Sequence, residues 1–245
     1  MSKEATAQLA PNGVLRAAIN MSNFLLVSGR TPDGGPVGVA PDMARAVADR
    51  LGVGLELLPF RSPGELADAA LSNVWDVGLI GAEPQRAANI AFSPAYVEIE
   101  ATYMVPPGSK LASISEVDAE GVRIASTGRA AYDLWLERNI RHATVSRATN
   151  LDGAFELFVR ESLDALAGLR PRLIIDREKM PGARILDGKF MAVQQAIGTP
   201  RANAAGAAFL RAFVEEAKAS GLVASLIAKH KIVGLTVAPA DESGA

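Results

Sequence analysis

The chain has 245 residues but no cysteine and only two histidines, His142 and His230. The lack of cysteine excludes disulfides, thiol nucleophiles and cysteine-ligated zinc sites. Both histidines lie among basic or apolar neighbours, so we expect a structural or surface role for each. The sequence also lacks the G-x-S-x-G, P-loop, G-x-G-x-x-G and H-E-x-x-H motifs. We therefore predict no catalytic site of these kinds, no bound metal and no cofactor.

Long hydrophobic runs and clusters of positive charge are also missing. No apolar stretch approaches the ~20 residues that a membrane span needs, and the formal net charge is −2. Without a clustered basic face, nucleic acids and anionic membranes are poor partners for this chain. The first ten residues lack the apolar core of a secretory signal. The sequence leaves open whether a signal was removed or was never present.

What the chain does contain is enough apolar sequence for a packed core, with 49% hydrophobic and 21% charged residues. One pattern occurs twice, at 75–86 and at 163–172. Each copy starts near an aspartate (Asp76 or Asp164), continues as a short apolar run to a glycine and then meets a proline. Such apolar runs predict buried strands of a parallel sheet, and proline favours the first turn of a helix. Because the aspartates open their strands, we expect structural roles for both.

Two copies of a strand–loop–helix pattern predict a two-lobe α/β fold. Each lobe would be a mostly parallel sheet flanked by helices, and ligands bind at the carboxyl ends of such strands. Two crossover strands would form a hinge between the lobes. The predicted bounds are residues 12–104 and 196–236 for a discontinuous first lobe, 105–195 for an inserted second lobe, and 1–11 and 237–245 for flexible termini.

Arg86 is the main candidate for ligand binding. It lies in the first turn of the helix that Pro84 opens, where backbone N–H groups already favour an anion. A guanidinium there can hold a carboxylate with two parallel hydrogen bonds, and we expect it to project into a solvated cleft. The alternative is a surface arginine paired with a nearby acid such as Glu83.

Other candidates follow the ends of predicted strands. Their hydroxyl, amide and backbone groups could contact a small polar ligand. Asparagine is also a common turn residue, however, and Ser126 and Thr127 could instead cap a helix. The further candidate ligand-binding residues are Asn20, Asn23, Phe24, Glu83, Ser126, Thr127, Gly128, Tyr132 and Gln194.

Several short motifs follow one another in a definite order along the chain. They are Gly13-Val14-Leu15-Arg16, Gly38-Val39-Ala40-Pro41-Asp42-Met43-Ala44, Leu51-Gly52-Val53, Trp75-Asp76-Val77, Pro84-Gln85-Arg86, Phe92-Ser93-Pro94-Ala95-Tyr96 and Val122-Arg123-Ile124-Ala125. Their order and spacing, from about Asn12 to Gly234, resemble the family-three extracellular solute-binding proteins, the amino-acid-binding components of bacterial ABC importers. The resemblance implies a periplasmic-binding-protein type II-like fold and reversible binding of a small polar solute without catalysis. It also implies that Arg86 clamps a ligand carboxylate.

Three departures from the family pattern affect the expected ligand. The loop after Gly81 is short and contains Ala82 and Glu83 where family members usually have hydroxyl residues. The family's acidic anchor for a ligand ammonium falls near Gly168-Leu169, where this chain has no acid. The loop that matches the family's Gly-Thr-Thr is shifted and contains Ser126-Thr127-Gly128-Arg129. We therefore expect a carboxylate-bearing metabolite rather than specifically an α-amino acid.

The function predicted from these observations is capture of a small polar, carboxylate-bearing metabolite by hinge closure, for an ABC-type importer. The protein is expected to be a monomeric, non-enzymatic, periplasmic partner of a permease. One alternative is an enzyme on the same scaffold, similar to cyclohexadienyl dehydratases, with Glu83 as the acid that protonates a leaving group. Another is a cytoplasmic ligand sensor or scavenger.

Overall fold

The computed structural model describes residues 3–241, so the flexibility expected for residues 1, 2 and 242–245 lies outside the described residues. The chain forms two compact units. Unit 1 comprises the residues up to Glu98 and those from Gln194 onward, and unit 2 comprises Ile99–Val193. The change of unit after Glu98 and the boundary predicted at residue 104 both lie within a single strand, which runs from Val97 to Val105.

The helices and strands follow in chain order. Up to the first boundary they are α1 (Lys3–Leu9), β1 (Val14–Asn20), β2 (Gly29–Arg30), β3 (Pro36–Val37), α2 (Val39–Leu51), β4 (Gly54–Phe60), α3 (Pro63–Asp68), β5 (Val77–Gly81), α4 (Pro84–Ala87), β6 (Ile90–Phe92) and β7 (Val97–Val105). Next come β8 (Arg123–Thr127), α5 (Ala131–Asn139), β9 (Thr144–Ala148), α6 (Leu151–Arg160), β10 (Ala165–Leu169), α7 (Arg170–Glu178), β11 (Arg184–Ile185) and β12 (Met191–Pro200). The last elements, in unit 1, are α8 (Ala204–Ala219), α9 (Leu222–Lys229) and β13 (Thr236–Val237).

Local sequence signals account for helix ends in unit 1. α2 ends at Gly52, which has a φ of 69°, in the left-handed region that glycine tolerates best. α3 begins after Ser62, whose Oγ accepts a hydrogen bond from the Glu65 N–H at 3.2 Å. Pro63 occupies the first helical position, where its missing N–H has no cost. The predicted helix end at Gly52 and the predicted helix start at Ser62 are confirmed.

In unit 1 the strand order is β4-β1-β5-β12. β1 lies parallel to both β4 and β5, with Ala17 opposite Leu57 on one side and Val77 on the other. β12 is antiparallel to β5, and β6 pairs with β12. The parallel strand predicted at the first copy of the repeated pattern is confirmed, and its carboxyl end lies beside that of β1.

Unit 2 repeats this arrangement with the strand order β9-β8-β10-β7. β8 lies parallel to β9 and β10, and β7 is antiparallel to β10. The short strand β11 pairs with β7. β10, which comes from the second copy of the repeated pattern, therefore occupies the position in unit 2 that β5 occupies in unit 1. The mixed α/β architecture predicted from the sequence is confirmed.

Equivalent aspartates precede β5 and β10. Asp76 accepts hydrogen bonds from the Arg16 main-chain N–H at 2.9 Å and from the Arg16 guanidinium. Asp164 makes the same two contacts with Arg123. Each carboxylate thus joins the starts of two adjacent parallel strands, and the predicted structural roles are confirmed. The two sites differ in burial, because the Asp76 side chain is 5% exposed and that of Asp164 is 39% exposed.

The core of unit 1 is built on α2 and the strands beneath it. The predicted stripe of Met43, Val47 and Leu51 is buried and belongs to one cluster with Leu15 and Ile19 of β1. Burial of each such side chain contributes about 1.5–3 kcal/mol. Within residues 3–241, none of the helices is both long enough and apolar enough to cross a membrane.

Residues 3–9 form a helix where the sequence predicts a flexible segment. Ala5 and Leu9, one helical turn apart, are fully buried. Leu9 packs against α8 at Gly206, where even a Cβ atom would come within 2.7 Å of the Leu9 side chain. The difference arises because a glycine far along the chain permits this close packing, and no local signal marks it.

The C-terminal segment is also ordered as far as Asp241. β13 pairs with the start of β7, and Ala238 is buried. Asp241 forms an ion pair with Arg211 of α8. The structure differs here from the predicted flexible segment because main-chain pairing and this ion pair tie the residues to the rest of unit 1.

Asp42, at the start of α2, provides a pH-dependent contribution to stability. Its Oδ2 lies 2.7 Å from both Lys229 Nζ and His230 Nε2 at the end of α9. Partial burial opposes ionisation of Asp42, but these two bonds outweigh it and hold the pKa of Asp42 below its usual value of 3.8. A lowered pKa stabilises the folded state above that value, and the effect is lost as the pH falls through the lowered pKa.

Asp42→Asn is therefore expected to lower the free energy of unfolding at pH 7 by less than about 1 kcal/mol. The difference from wild type should shrink as the pH falls below the usual pKa of 3.8. Urea denaturation at several pH values measures it, with Asp49→Asn, an exposed position on the same helix, as the control. A difference that stays constant with pH would show that the ion pairs do not cause it.

Candidate functional site

The carboxyl ends of β1 and β5 lie side by side, and predicted ligand residues follow both. Asn20 Oδ1 accepts hydrogen bonds from the N–H and the hydroxyl of Ser22, at 3.2 and 2.8 Å. Asn23 Oδ1 accepts a bond from the Leu25 N–H at 3.2 Å. Both asparagines are buried, and Phe24 is half-buried. These bonds show that the asparagines shape a turn, as the alternative interpretation expects, and their contact with a ligand stays a prediction.

Arg86 is buried rather than solvated. It is 6% exposed, and its Nη1 donates to the carbonyl oxygen of Gly81 at 2.6 Å. The Glu83 carbonyl accepts the N–H groups of Arg86 and Ala87, both at 2.9 Å, so α4 begins within a few residues of the end of β5. The expectation that this arginine projects into solvent is therefore wrong, and its guanidinium lies against the carboxyl end of β5.

Glu83 and Gln194 lie at the same end of β5. Glu83 is 4% exposed, and the N–H of its neighbour Ala82 donates to the Gln194 carbonyl at 2.7 Å. The Gln194 side chain in turn donates to a Glu98 carboxylate oxygen at 2.8 Å. The structure thus brings Glu83, Arg86 and Gln194 together in unit 1, while their contact with a ligand stays a prediction.

In unit 2, Ser126, Thr127 and Gly128 stand at the end of β8. The Ser126 hydroxyl is fully buried and has no hydrogen-bond partner in the described part of the chain. Gly128 donates its N–H to the Ala148 carbonyl at 2.8 Å. Tyr132 follows in the first turn of α5, where burial raises the pKa of its hydroxyl to about 12. This edge therefore presents three neutral hydroxyls, on Ser126, Thr127 and Tyr132, and the one on Ser126 lacks a partner among the described residues.

The sequence analysis missed a charged cluster beside this edge, formed by Arg129, Asp133 and Arg147. The Asp133 carboxylate is 3% exposed and accepts the Arg129 main-chain N–H at 2.9 Å. It also accepts bonds from Arg147 Nε at 2.9 and 3.0 Å. The available signal was the acid at the third position of α5, since acids there bond back to N–H groups before the helix. The position of Arg147 depends on the pairing of β8 with β9, which no local pattern gives.

Arg172 occupies in the second copy of the repeated pattern the position that Arg86 has in the first. Each is the third residue of the helix after the strand. Arg172 contacts two carboxylates, Asp152 at 2.6 Å and Asp176 at 2.8 Å. Burial opposes its charge, but the two carboxylates outweigh that effect and raise the pKa of Arg172 above its usual value. The charge of Arg172 is thus balanced within unit 2.

The last two residues of β10, Gly168 and Leu169, carry no acidic side chain. Leu169 is 8% exposed there, and the next residue, Arg170, donates to Glu100 at 2.8 Å. Across residues 3–241, no group of three or more histidine, aspartate or glutamate side chains could hold a metal ion. What the described residues at these edges offer is hydrogen bonding and charge pairing.

Three solved structures illustrate what the fold is similar to. A mutant of ArgBP from T. maritima has a TM-score of 0.73 at 22% identity, over 93% of this chain and 99% of that one. An amino acid ABC transporter substrate-binding protein from Streptococcus pneumoniae, bound to L-arginine, has a TM-score of 0.73 at 20% identity, over 96% and 99%. The ancestral amino acid-binding protein AncCDT-1, a precursor of cyclohexadienyl dehydratase, has a TM-score of 0.72 at 18% identity, over 93% and 99%. At these identities the likeness shows the fold alone.

Sequence comparison adds the family. None of the curated proteins compared matches this chain. The model of the bacterial extracellular solute-binding proteins, family 3, matches residues 18–232. That range contains both copies of the repeated pattern and both strand edges described above. The chain belongs to the bacterial extracellular solute-binding proteins, family 3.

Proposed function

We propose that this protein reversibly binds a small carboxylate-bearing metabolite and that Arg86 holds the carboxylate. The observation that carries the proposal is the position of the guanidinium, which is buried and bonded to the Gly81 carbonyl at the end of β5. Ligands of open α/β sheets bind outside the carboxyl ends of the strands. Membership of a solute-binding family supports binding rather than turnover.

A buried guanidinium favours a carboxylate for electrostatic reasons. Attraction between opposite charges is stronger in a buried site than in water, because the effective dielectric constant there is lower. A carboxylate can accept two parallel N–H bonds from one guanidinium, a geometry that an ammonium group cannot reproduce. The bond from Arg86 Nη1 to Gly81 holds the guanidinium in place in advance, so less side-chain freedom is lost on binding.

The unit 2 edge supports a polar ligand without a required ammonium group. A buried hydroxyl without a partner costs about 1–3 kcal/mol, and a polar ligand atom would remove that cost at Ser126. Leu169 offers no charge to an ammonium group. We therefore propose that the carboxylate, rather than an α-amino group, is the feature that the protein recognises.

A role in transport is part of the same proposal. The family is described as extracellular, and one similar structure belongs to an amino acid ABC transporter. We infer a periplasmic protein that delivers its ligand to an ABC permease and closes about its hinge when the ligand binds. Closure predicts a smaller radius of gyration in solution scattering on ligand addition.

Glu83 gives a specific reason to test an enzymatic alternative. It is 4% exposed at the strand end where Arg86 lies, and a buried carboxyl group there could act as a general acid. We expect the purified protein to leave prephenate and arogenate unchanged, as measured by chromatography of the reaction mixture. Turnover that disappears in Glu83→Gln would establish a dehydratase instead.

A thermal-shift screen tests the proposed binding. The carboxylate panel consists of L-arginine, L-glutamate, succinate and 2-oxoglutarate, each compared with its amide or ester. A compound that binds only the native state raises the melting temperature. At least one acid should do so while its fully amidated or esterified derivative, which lacks a carboxylate, does not. Shifts with the amides or esters alone, or with none of the panel, would contradict the proposal.

A further inference from the structure

The turn after β8 contains a residue in an unusual backbone conformation. Arg129 has a φ of +63°, in the left-handed region that residues other than glycine rarely adopt. The strand before it carries the buried Ser126, and α5 begins two residues after it. Such a conformation persists only where neighbouring contacts compensate its cost.

Asp133 supplies the compensating contact. Its Oδ2 accepts the main-chain N–H of Arg129 at 2.9 Å, and its side chain is 3% exposed. The N-cap residue of α5 is Ala130, whose methyl side chain has no oxygen to accept an N–H. The Asp133 carboxylate, in the first turn of α5, therefore supplies the acceptor that the N-cap residue lacks. Its bond to the Arg129 N–H stabilises the left-handed turn before the helix.

Arg147 braces Asp133 from the neighbouring strand. Its Nε bonds to both carboxylate oxygens, at 2.9 and 3.0 Å. Arg147 lies opposite Ser126 in the pairing of β8 with β9, so the residue that bonds to Asp133 is the strand neighbour of the buried hydroxyl. In the same pairing, Gly128 donates its N–H to Ala148 at 2.8 Å. The turn is thus held at one end by the β9 main chain and at the other by Asp133.

We propose that Asp133 is a positioning residue for ligand binding: with Arg147 it keeps Arg129 left-handed and so keeps residues 126–128 in their binding orientation. The inference rests on the proposed function, because it takes these residues to contact the ligand. Without the carboxylate, only a fraction of the molecules would keep the competent turn. The apparent affinity is the intrinsic affinity multiplied by that fraction. For Asp133→Ala we expect the affinity to fall about tenfold.

A double-mutant cycle with Arg129→Gly tests the proposal. Glycine adopts the left-handed conformation without the steric cost of a side chain. Asp133→Ala should therefore weaken binding about tenfold when arginine is at position 129, and less than about twofold when glycine is there. Calorimetric titration measures this with the carboxylate-panel compound that raises the melting temperature of wild type most. Equal losses in both backgrounds would overturn the proposal and would assign Asp133 to helix stabilisation alone.

Asp164→Ala is the matched control. Asp164 also accepts a main-chain N–H and a guanidinium bond, both from Arg123, but at the amino ends of the unit 2 strands. Its replacement should leave the affinity unchanged.

Hydrogen exchange of the Arg129 amide, followed by NMR, tests the turn without any ligand. Exchange should become faster in Asp133→Ala, and unchanged exchange would overturn the inference whatever the protein binds. Failure of every panel compound to bind wild type would instead count against the proposed function.

Discussion

Replacing Arg86 with alanine is expected to weaken ligand binding by about 2–5 kcal/mol, a loss of at least about thirtyfold. The bound carboxylate would remain out of water but would lose its charged partner and two hydrogen bonds. Calorimetric titration of wild type and Arg86→Ala with the strongest-binding compound of the carboxylate panel measures the change. The same variant should also melt at a lower temperature without ligand, because Arg86 is buried and bonded to Gly81.

Two variants serve as controls for Arg86. Arg86→Lys should recover only part of the affinity, because an ammonium group cannot form the planar pair of bonds. Arg172→Ala removes an arginine at the equivalent helical position whose charge Asp152 and Asp176 already balance, so the affinity should not change. Unchanged affinity in a folded Arg86→Ala protein would contradict the proposal. The anion site would then have to lie at Ser126 and Thr127.

Asp76→Ala is expected to lower the free energy of unfolding by about 3 kcal/mol. The carboxylate is 5% exposed and accepts both the main-chain N–H of Arg16 and two bonds from its guanidinium. Its loss leaves a partly buried main-chain donor without that partner and removes the counter-ion of the Arg16 guanidinium, whose side chain is 28% exposed. Chemical denaturation, with the midpoint and the slope both fitted, measures the change.

Asp164→Ala is the natural comparison because it removes the same contacts from the equivalent strand of unit 2. There the carboxylate is 39% exposed and Arg123 is 46% exposed, so solvent screens the pair. The expected loss is about 1 kcal/mol. Equal losses at the two positions would show that burial does not control the strength of these pairs.

The parts of the fold that the sequence predicts are those encoded locally. The strand–glycine–proline pattern places β5 and β10, and Ser62 and Gly52 mark helix ends, because proline, glycine and hydroxyl residues act on their own turn of chain. α1 was missed because its burial depends on Gly206. β7 begins four residues before the extended segment that the sequence predicts at 101–105, and it contains both the predicted lobe boundary and the change of unit.

The candidate site shows the same division. The helical position of Arg86 follows from Pro84, but its burial does not, because it depends on how tightly the loop after Gly81 winds. The pairing of Asp133 with Arg147 requires the register of β8 against β9, and residues far apart in sequence carry no local signal of that register. Contacts set by tertiary pairing are therefore the part of the site that sequence analysis could not supply.

The most direct test of reversible carboxylate binding is a calorimetric titration followed by recovery of the titrant. The account predicts that one compound of the carboxylate panel binds with one molecule per chain, loses its affinity in Arg86→Ala and is recovered chemically unchanged. Binding that survives in Arg86→Ala, or recovery of a converted product, would contradict the account.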